Sequence, residues 1–250
     1  MSDAPIDWQS HRTEAHHLGR LQEWLKQIVY GGNDGIVTTF AIVAGFAGAS
    51  ADGAAEVGAL AVLVFGLANL FADATSMGLG EFLSTRSQRD LYHSQRAIEL
   101  RELADNPAQE RGELAQMLRE RGLSEADAEA ATERLMKSPE LVADMMMAYE
   151  IGMPDMRAAT PAADGLVTFG AFTVFGAIPL FPYFLRPATD PATFWLSVGA
   201  TLAALVLLGL LRWRATGERM TRCLAETVSV GGVCALVAFA VGALVGGLGA

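Results

Sequence analysis

Five stretches of the chain, at about 28 to 50, 57 to 83, 162 to 184, 193 to 211 and 227 to 248, are mainly apolar over the ~20 residues that a bilayer's hydrocarbon core requires of a helix. In lipid every backbone N–H and C=O must be satisfied within the protein, so a segment of this length folds as an α-helix that pairs its own groups. Hydrophobic residues make up 52% of the 250. The mean hydropathy is nevertheless only +0.30, because an intensely charged block over 86 to 160 separates the second stretch from the third. The expected fold is an all-α membrane protein with five transmembrane helices and a helical insert between the second and third. Its expected parts are an N-terminal segment over 1–27, two spans over 28–85, the insert over 86–160 and three spans over 161–250.

Lys and Arg are retained on the cytoplasmic side of a membrane. Of the 18 such residues, all but Arg186 fall within 1–27, within the insert, or in the short segment that holds Arg212, Arg214, Arg219 and Arg222. The N-terminus and the insert are therefore expected in the cytoplasm, and five spans then place the C-terminus outside. No signal peptide is expected ahead of the first span, since 1–27 lacks an apolar core followed by a cleavage site. The net charge of −10, with 15 acidic against 10 basic residues in the insert, argues against a nucleic-acid partner. Cys223 and Cys234 do not suggest a disulfide framework and read as small, inert residues.

Leu18, Leu21, Trp24, Leu25 and Ile28 recur at three- and four-residue steps, the pattern of an amphipathic helix lying in the membrane interface. His11, Glu14, His16 and His17 precede it. They offer ligand atoms, but their setting is that of a solvated tail. Within the insert, helix-favouring sequence runs on from Ser84 to Ala104. Asn106 with Pro107 and Gln109 then reads as a helix start that Gly122 closes. Ser124 with Asp127 resembles a capping box, and Ser138 with Pro139 begins a last helix that Gly152 and Pro154 end. A short repeat also stands out: Asp34-Gly35-Ile36-Val37-Thr38 opens the first span and Asp164-Gly165-Leu166-Val167-Thr168 opens the third.

The chemistry concentrates in the second span, where Asn69, Asp73, Met77 and Glu81 stand four apart. On a helix each such step turns only ~40°, so these side chains form one slowly winding stripe of metal-ligating groups. Acids inside a span cost at least ~2.5 kcal/mol each by insertion scales and usually mark an ion or proton pathway. The first span contributes Asp34 inside Gly31-Gly32-Asn33-Asp34-Gly35, a Gly-rich entry that permits close backbone approach. Asp34 also fits a helix cap or an interfacial acid when taken alone; its proximity in sequence to Asp73, Met77 and Glu81 favours the pathway. The thioether of Met77 suits softer cations such as Fe(II) over Mg(II) or Ca(II). Further along, Gly45 and Gly48, and Gly242, Gly246 and Gly247 in the fifth span, form small-residue faces for tight helix packing.

In the insert, Glu99 and Glu102 are three apart, as are Glu110 and Glu113, while Met146, Met147 and Glu150 share one side of the last helix. Each Glu pair taken singly is ordinary acidic surface. Recurrence of the spacing on three helices tilts the reading toward a divalent-metal site of the kind that helical bundles build from facing carboxylates, with the Met pair biasing it toward transition metals.

These residues resemble the vacuolar iron transporter family. The likeness is carried by Asn33 through Phe40 in the first span, by the most specific stretch, Phe71 through Ser84, in the second, and by Gly176-Ala177-Ile178-Pro179-Leu180-Phe181-Pro182-Tyr183 in the third. The resemblance implies a homodimer whose first spans line an ion path on the two-fold axis and which exports Fe(II) from the cytoplasm in exchange for protons. It further implies that Asp34 and Met77 are transmembrane ligands. Glu99, Glu102, Glu110, Glu113, Met146, Met147 and Glu150 would be the ligands of a cytoplasmic metal-binding domain.

Glu81 stands where plant members carry Gly, so the chain looks like the bacterial type, and its Ala- and Gly-rich makeup suggests a bacterial inner membrane, with a eukaryotic organelle as the alternative. The closest bacterial exporters carry an N-terminal ferritin-like domain, for which 1–27 leaves no room. The expected cargo is Fe(II), with Mn(II) or Zn(II) as alternatives, and no prosthetic group is called for. The expected partners are lipid, divalent ions, protons and a second copy of the chain. Two rival readings stand beside a transporter. One is a membrane di-iron enzyme, which commonly needs Glu-x-x-His, a spacing His93 does not meet. The other is a metal-sensing scaffold without a pore.

Overall fold

The computed structural model describes Asp7 and residues 19–50, 59–187 and 190–248. His11, Glu14, His16 and His17 lie outside the described residues. Every regular element among the described residues is helical: α1 (Arg20–Glu23), α2 (Leu25–Ser50), α3 (Ala59–Asp105), α4 (Pro107–Glu120), α5 (Glu125–Leu135), α6 (Pro139–Tyr149) and α7 (Pro161–Ala177). A 3₁₀ turn (Ile178–Leu180), α8 (Phe181–Leu185), α9 (Pro191–Thr216) and α10 (Met220–Leu248) complete the order. The chain divides into two compact units, Met1–Phe82 with Ala162–Ala250, and Leu83–Pro161.

Four segments are long and apolar enough to cross a membrane by length and composition: Leu60–Asp105, Pro161–Leu185, Pro191–Thr216 and Met220–Leu244. α2 is outside that set. The polar Gly31–Gly35 entry, with Asn33 and Asp34, takes up much of its first half and lowers its mean hydropathy. The third apolar segment is three pieces rather than one helix. Pro179 and Pro182 lack the N–H that would carry the helical ladder through, and the turn between them tightens to 3₁₀.

The first unit is built around two apolar clusters. One joins Phe40, Val43, Leu70, Ala74, Phe172 and Leu180, and the other joins Ile36, Phe175, Leu205 and Leu208. Large side chains also point outward, among them Leu79, Leu166, Trp195 and Leu236. In water such a surface would be an aggregation hazard; on helices of this length it is the face that meets lipid.

With no hydrophobic force to press helices together in lipid, close backbone contact does the work. A Cβ built on Gly35 would collide with the backbone of Phe172, and one on Gly78 would lie 2.9 Å from the carbonyl of Gly165. At the far end of α2, a Cβ on Gly48 would lie 2.7 Å from the carbonyl of Phe239, and the backbone of Gly45 abuts Gly242 of α10. The two halves of the repeat also make the same local bond, the hydroxyl of Thr38 donating to the carbonyl of Asp34 (2.8 Å) and that of Thr168 to Asp164 (2.9 Å).

The second unit is a small helical bundle. Leu103, Leu114, Met117, Val142, Ala143 and Met146 form its core. Ser124 caps α5: its hydroxyl accepts from the N–H of Asp127 (3.2 Å) and donates to the Asp127 carboxylate (2.6 Å). Asn106 occupies the cap position of α4 but makes no side-chain cap bond, and Gln109 donates to Glu113 instead. Gly122 and Gly152 adopt φ of 102° and 73°, a left-handed backbone that favours Gly where a helix stops.

Candidate functional site

Within the first unit, α3 presents the polar stripe along one face. Asn69 donates from Nδ2 to Asp73 Oδ2 at 2.7 Å, which fixes the carboxylate one turn on. Asn69 also lines a cavity of about 890 Å³ whose other walls include Ala41, Gly45, Phe65 and Gly242. Met77 packs, half-buried, against the Phe40 and Phe172 cluster. Asp34, half-buried on α2, lies close enough to Asp73 for the two charges to act on each other. The acids of α2 and α3 are therefore neighbours in space as well as in sequence.

Glu81 ends the stripe differently. It accepts from Lys26 Nζ at 3.1 Å and from Gln27 Nε2 at 3.2 Å, so this carboxylate already has a cation partner. Neither partner is recognisable from spacing, because α2 and α3 meet across more than 50 residues of chain. The only sequence signal is a lysine at the polar end of an apolar helix.

In the second unit the helices bring the spaced carboxylates into one electrostatic cluster. Glu99 on α3 and Glu110 on α4 are 6% and 1% exposed, an unusual position for Glu unless something compensates the charge. Burial pushes the Glu99 carboxyl up to about 7, helped by Glu150, Glu102 and Glu113. Burial likewise raises Glu110 to about 7, with Glu113, Glu99, Glu102 and Glu150 adding to it. Glu150, the residue that caps the end of α6, is raised by burial and then by Glu113 and Glu102.

Oε2 of Glu110 is buried without a hydrogen-bond partner. Met146 and Met147 are fully buried, Met146 as part of the apolar core. All seven residues thus fall in one unit, and the five carboxylates repel one another there. Among the described residues, no group of three or more His, Cys, Asp and Glu closes tightly enough to hold an ion as it stands. The five carboxylates thus form a loose set of like charges whose mutual repulsion is left uncompensated among the described residues.

A basic clamp lies elsewhere in that unit. The Asp144 carboxylate is held by Arg96 Nε at 2.7 Å and by Arg157 Nη1 at 3.0 Å, and Arg96 also bonds Glu140. Arg157 in turn holds Asp155 down to about 2 through side-chain and backbone hydrogen bonds. This network was not evident from sequence, since Arg96 and Asp144 lie 48 residues apart.

Residues 25–243 match the sequence pattern of the VIT family. The vacuolar iron transporter of Toxoplasma gondii is 33% identical over 237 residues, covering 92% of this chain and 76% of that protein. Vacuolar iron transporter 2 of Oryza sativa subsp. japonica is 34% identical over 229 residues, covering 91% of this chain and 89% of its own. Vacuolar iron transporter 1 of Arabidopsis thaliana is 33% identical over 231 residues, covering 92% and 88%.

Proposed function

This chain belongs to the VIT family, and from that premise we propose that it exports Fe(II), with Mn(II) as the alternative cargo, from the cytoplasm in exchange for protons. It is a multi-pass membrane protein and a metal-ion transporter rather than an enzyme, so the di-iron enzyme considered from the sequence is set aside. What supports the finer reading is that Asp34 of α2 and Asp73 of α3 lie near enough for their charges to act on each other, with Met77 one turn beyond Asp73. Acids are kept in such a setting for an ion or a proton.

In the proposed cycle, Glu99, Glu102, Glu110, Glu113 and Glu150 gather hydrated cations, and Met146 and Met147 favour transition metals among them. Glu81, at the end of the stripe, takes up an ion by exchanging its Lys26 partner for it. Asp34 and Met77 then bind a partly dehydrated ion beside Asp73. Protonation of these carboxylates from the opposite side lowers their hold, and the proton gradient drives release. The chain works as a homodimer, all five long helices cross the membrane, and the N-terminus and the 86–160 insert face the cytoplasm of a bacterial inner membrane.

Flux into proteoliposomes across an imposed pH gradient tests this reading, with Fe(II), Mn(II) and Zn(II) in competition. Asp34→Ala and Met77→Ala should each abolish metal-dependent uptake. Glu99→Gln with Glu110→Gln should raise the half-saturating concentration and leave the maximal rate near wild type. Normal flux through both span variants would refute the assigned path.

A further inference from the structure

Hydroxyl groups inside apolar helices commonly donate to the carbonyl one turn back, as Thr38, Thr168 and Thr201 do in the first unit. Thr39 does not. Its side chain is fully buried, and its Oγ1 has no hydrogen-bond partner among the described residues. A buried hydroxyl left unpaired is costly, so one in this position calls for a partner.

The packing of α2 shows what Thr39 faces. A Cβ on Gly31 would lie 2.8 Å from the carbonyl of Thr168, and one on Gly176 would lie 2.8 Å from the carbonyl of Gly35. α2 and α7 therefore run side by side in the same direction. Thr39, one turn past Gly35, is level with the end of α7 and the 3₁₀ turn that follows it. On the other flank, a Cβ on Gly32 would lie 3.3 Å from Leu208, Ile36 clusters with Ala204 and Leu205, and the Phe40 ring stacks on that of Phe194 with centroids 6.5 Å apart. α9 thus runs antiparallel to α2, and the register brings Thr39 level with Ser197 and Thr201. Gly31 and Gly35 face α7, Gly32 and Ile36 face α9, and Thr39 falls between the two rows.

Both neighbours offer lone pairs at that level. Ser197, fully buried, donates to the carbonyl of Pro179 at 2.6 Å, and Thr201 donates to that of Ser197 at 2.7 Å. Each of these hydroxyl hydrogens is committed, so each hydroxyl oxygen keeps acceptor capacity. Pro179 has no N–H, so the carbonyl of Phe175 one turn back lacks its ordinary helical donor. Acceptors thus outnumber donors around the break, and the hydrogen of the Thr39 hydroxyl is the one left to give.

We infer that one water molecule is held in this joint, accepting from Thr39 and donating to two of the oxygens on α9 and at the break. Three bonds is the number that buried waters typically make. Ordered water is also one of the means by which proline-broken spanning helices satisfy their freed backbone groups. The oxygens named are neutral hydroxyls and carbonyls, which suit water, whereas an ion among them would lack a countercharge. α2, α7 and α9 accordingly meet at the proline break through a molecule that can exchange partners.

Two measurements on the full chain in detergent test this. Thermal unfolding compares wild type with Thr39→Val, which keeps the shape of the side chain and deletes its hydroxyl. Removing an unpaired hydroxyl would raise the midpoint; removing one that holds water should lower it by about 2–4 °C. X-ray hydroxyl-radical footprinting, with an alcohol scavenger in the buffer, reads the water itself. A radical born inside the joint should oxidise Phe175, only 8% exposed, in spite of the scavenger, and Thr39→Val should lose that label. Thr39→Ser keeps the hydroxyl and should keep the label. Replacing sodium chloride with choline chloride should change neither reading; a sodium-dependent midpoint that Thr39→Val abolishes would assign a cation to the joint and overturn the water. A higher midpoint for Thr39→Val, or a wild-type label at Phe175 that the scavenger removes, would overturn it as well.

Discussion

Glu110 offers the sharpest test of the acidic cluster, because Glu110→Gln should stabilise the metal-free protein and weaken its hold on metal. The carboxyl is 1% exposed and one oxygen has no partner. Its displacement from 4.5 to about 7 corresponds to about 3 kcal/mol acting against the ionised form. Part of that is repulsion shared with Glu99 and the other acids, and Gln still buries a polar group. The net gain expected at pH 8 is on the order of 1 kcal/mol.

The sign follows from proton binding. Between 4.5 and 7 the folded chain holds more protons than the unfolded chain, so stability falls as pH rises through that window, and the penalty is complete above it. The assay is amide hydrogen exchange over Pro107–Glu120, read by mass spectrometry on the full chain in nanodiscs with a chelator present. The variant should exchange roughly fivefold more slowly than wild type at pH 8, and most of the gap should close near pH 5. Adding Mn(II) should reverse the order. Wild type gains about 2.7 kcal/mol at a hundredfold excess over its dissociation constant, and the variant gains less. A variant that exchanges faster than wild type at pH 8 without metal would show that Glu110 is not held against its charge.

Gly35→Ala, whose Cβ would meet the Phe172 backbone, should cost about 1–3 kcal/mol, whereas Gly80→Ala opens onto free space and should be neutral or stabilising by up to about 1 kcal/mol; thermal unfolding in detergent compares them. Ser124→Ala removes the α5 cap and should lower the local opening free energy by about 1 kcal/mol, read from exchange at the start of Glu125–Leu135. Lys26→Met frees Glu81 from its cation and, on the proposed path, should lower the half-saturating metal concentration about threefold, the scale of an exposed ion pair. An unchanged or higher value in flux measurements would remove Glu81 from the path.

Helices and their local signals are legible in this sequence because they depend on neighbours a turn away. Apolar length marks the long helices, Ser124 caps where its spacing to Asp127 indicates, and Gly122 and Gly152 sit where left-handed backbone is needed. Asn106 shows the limit of such rules: the residue type is right for a cap, but no cap bond forms. The break at Ile178–Leu180 was carried by visible prolines, yet its tightening to 3₁₀ depends on what packs around it. The site divides the same way. Asn69 and Asp73 pair because four residues make a turn, whereas Lys26 with Glu81 and Arg96 with Asp144 pair only once distant helix faces meet, and local periodicity carries no information about that choice.

The bare seams between helices have a mechanical consequence. Where Gly45 and Gly48 meet α10, one backbone lies directly on another with no side chain between them, whereas the contact of Gly78 with Gly165 is flanked by Phe82 and Phe169. A knob seated in a hole resists displacement, because it must leave one rotamer before it enters the next. A glycine seam has no such detent, and sliding along it trades contact for contact. The line between α2 and α10 is accordingly where shear along the helix axes meets less resistance than at the Phe-flanked contact, and α2 is the helix that carries Asp34.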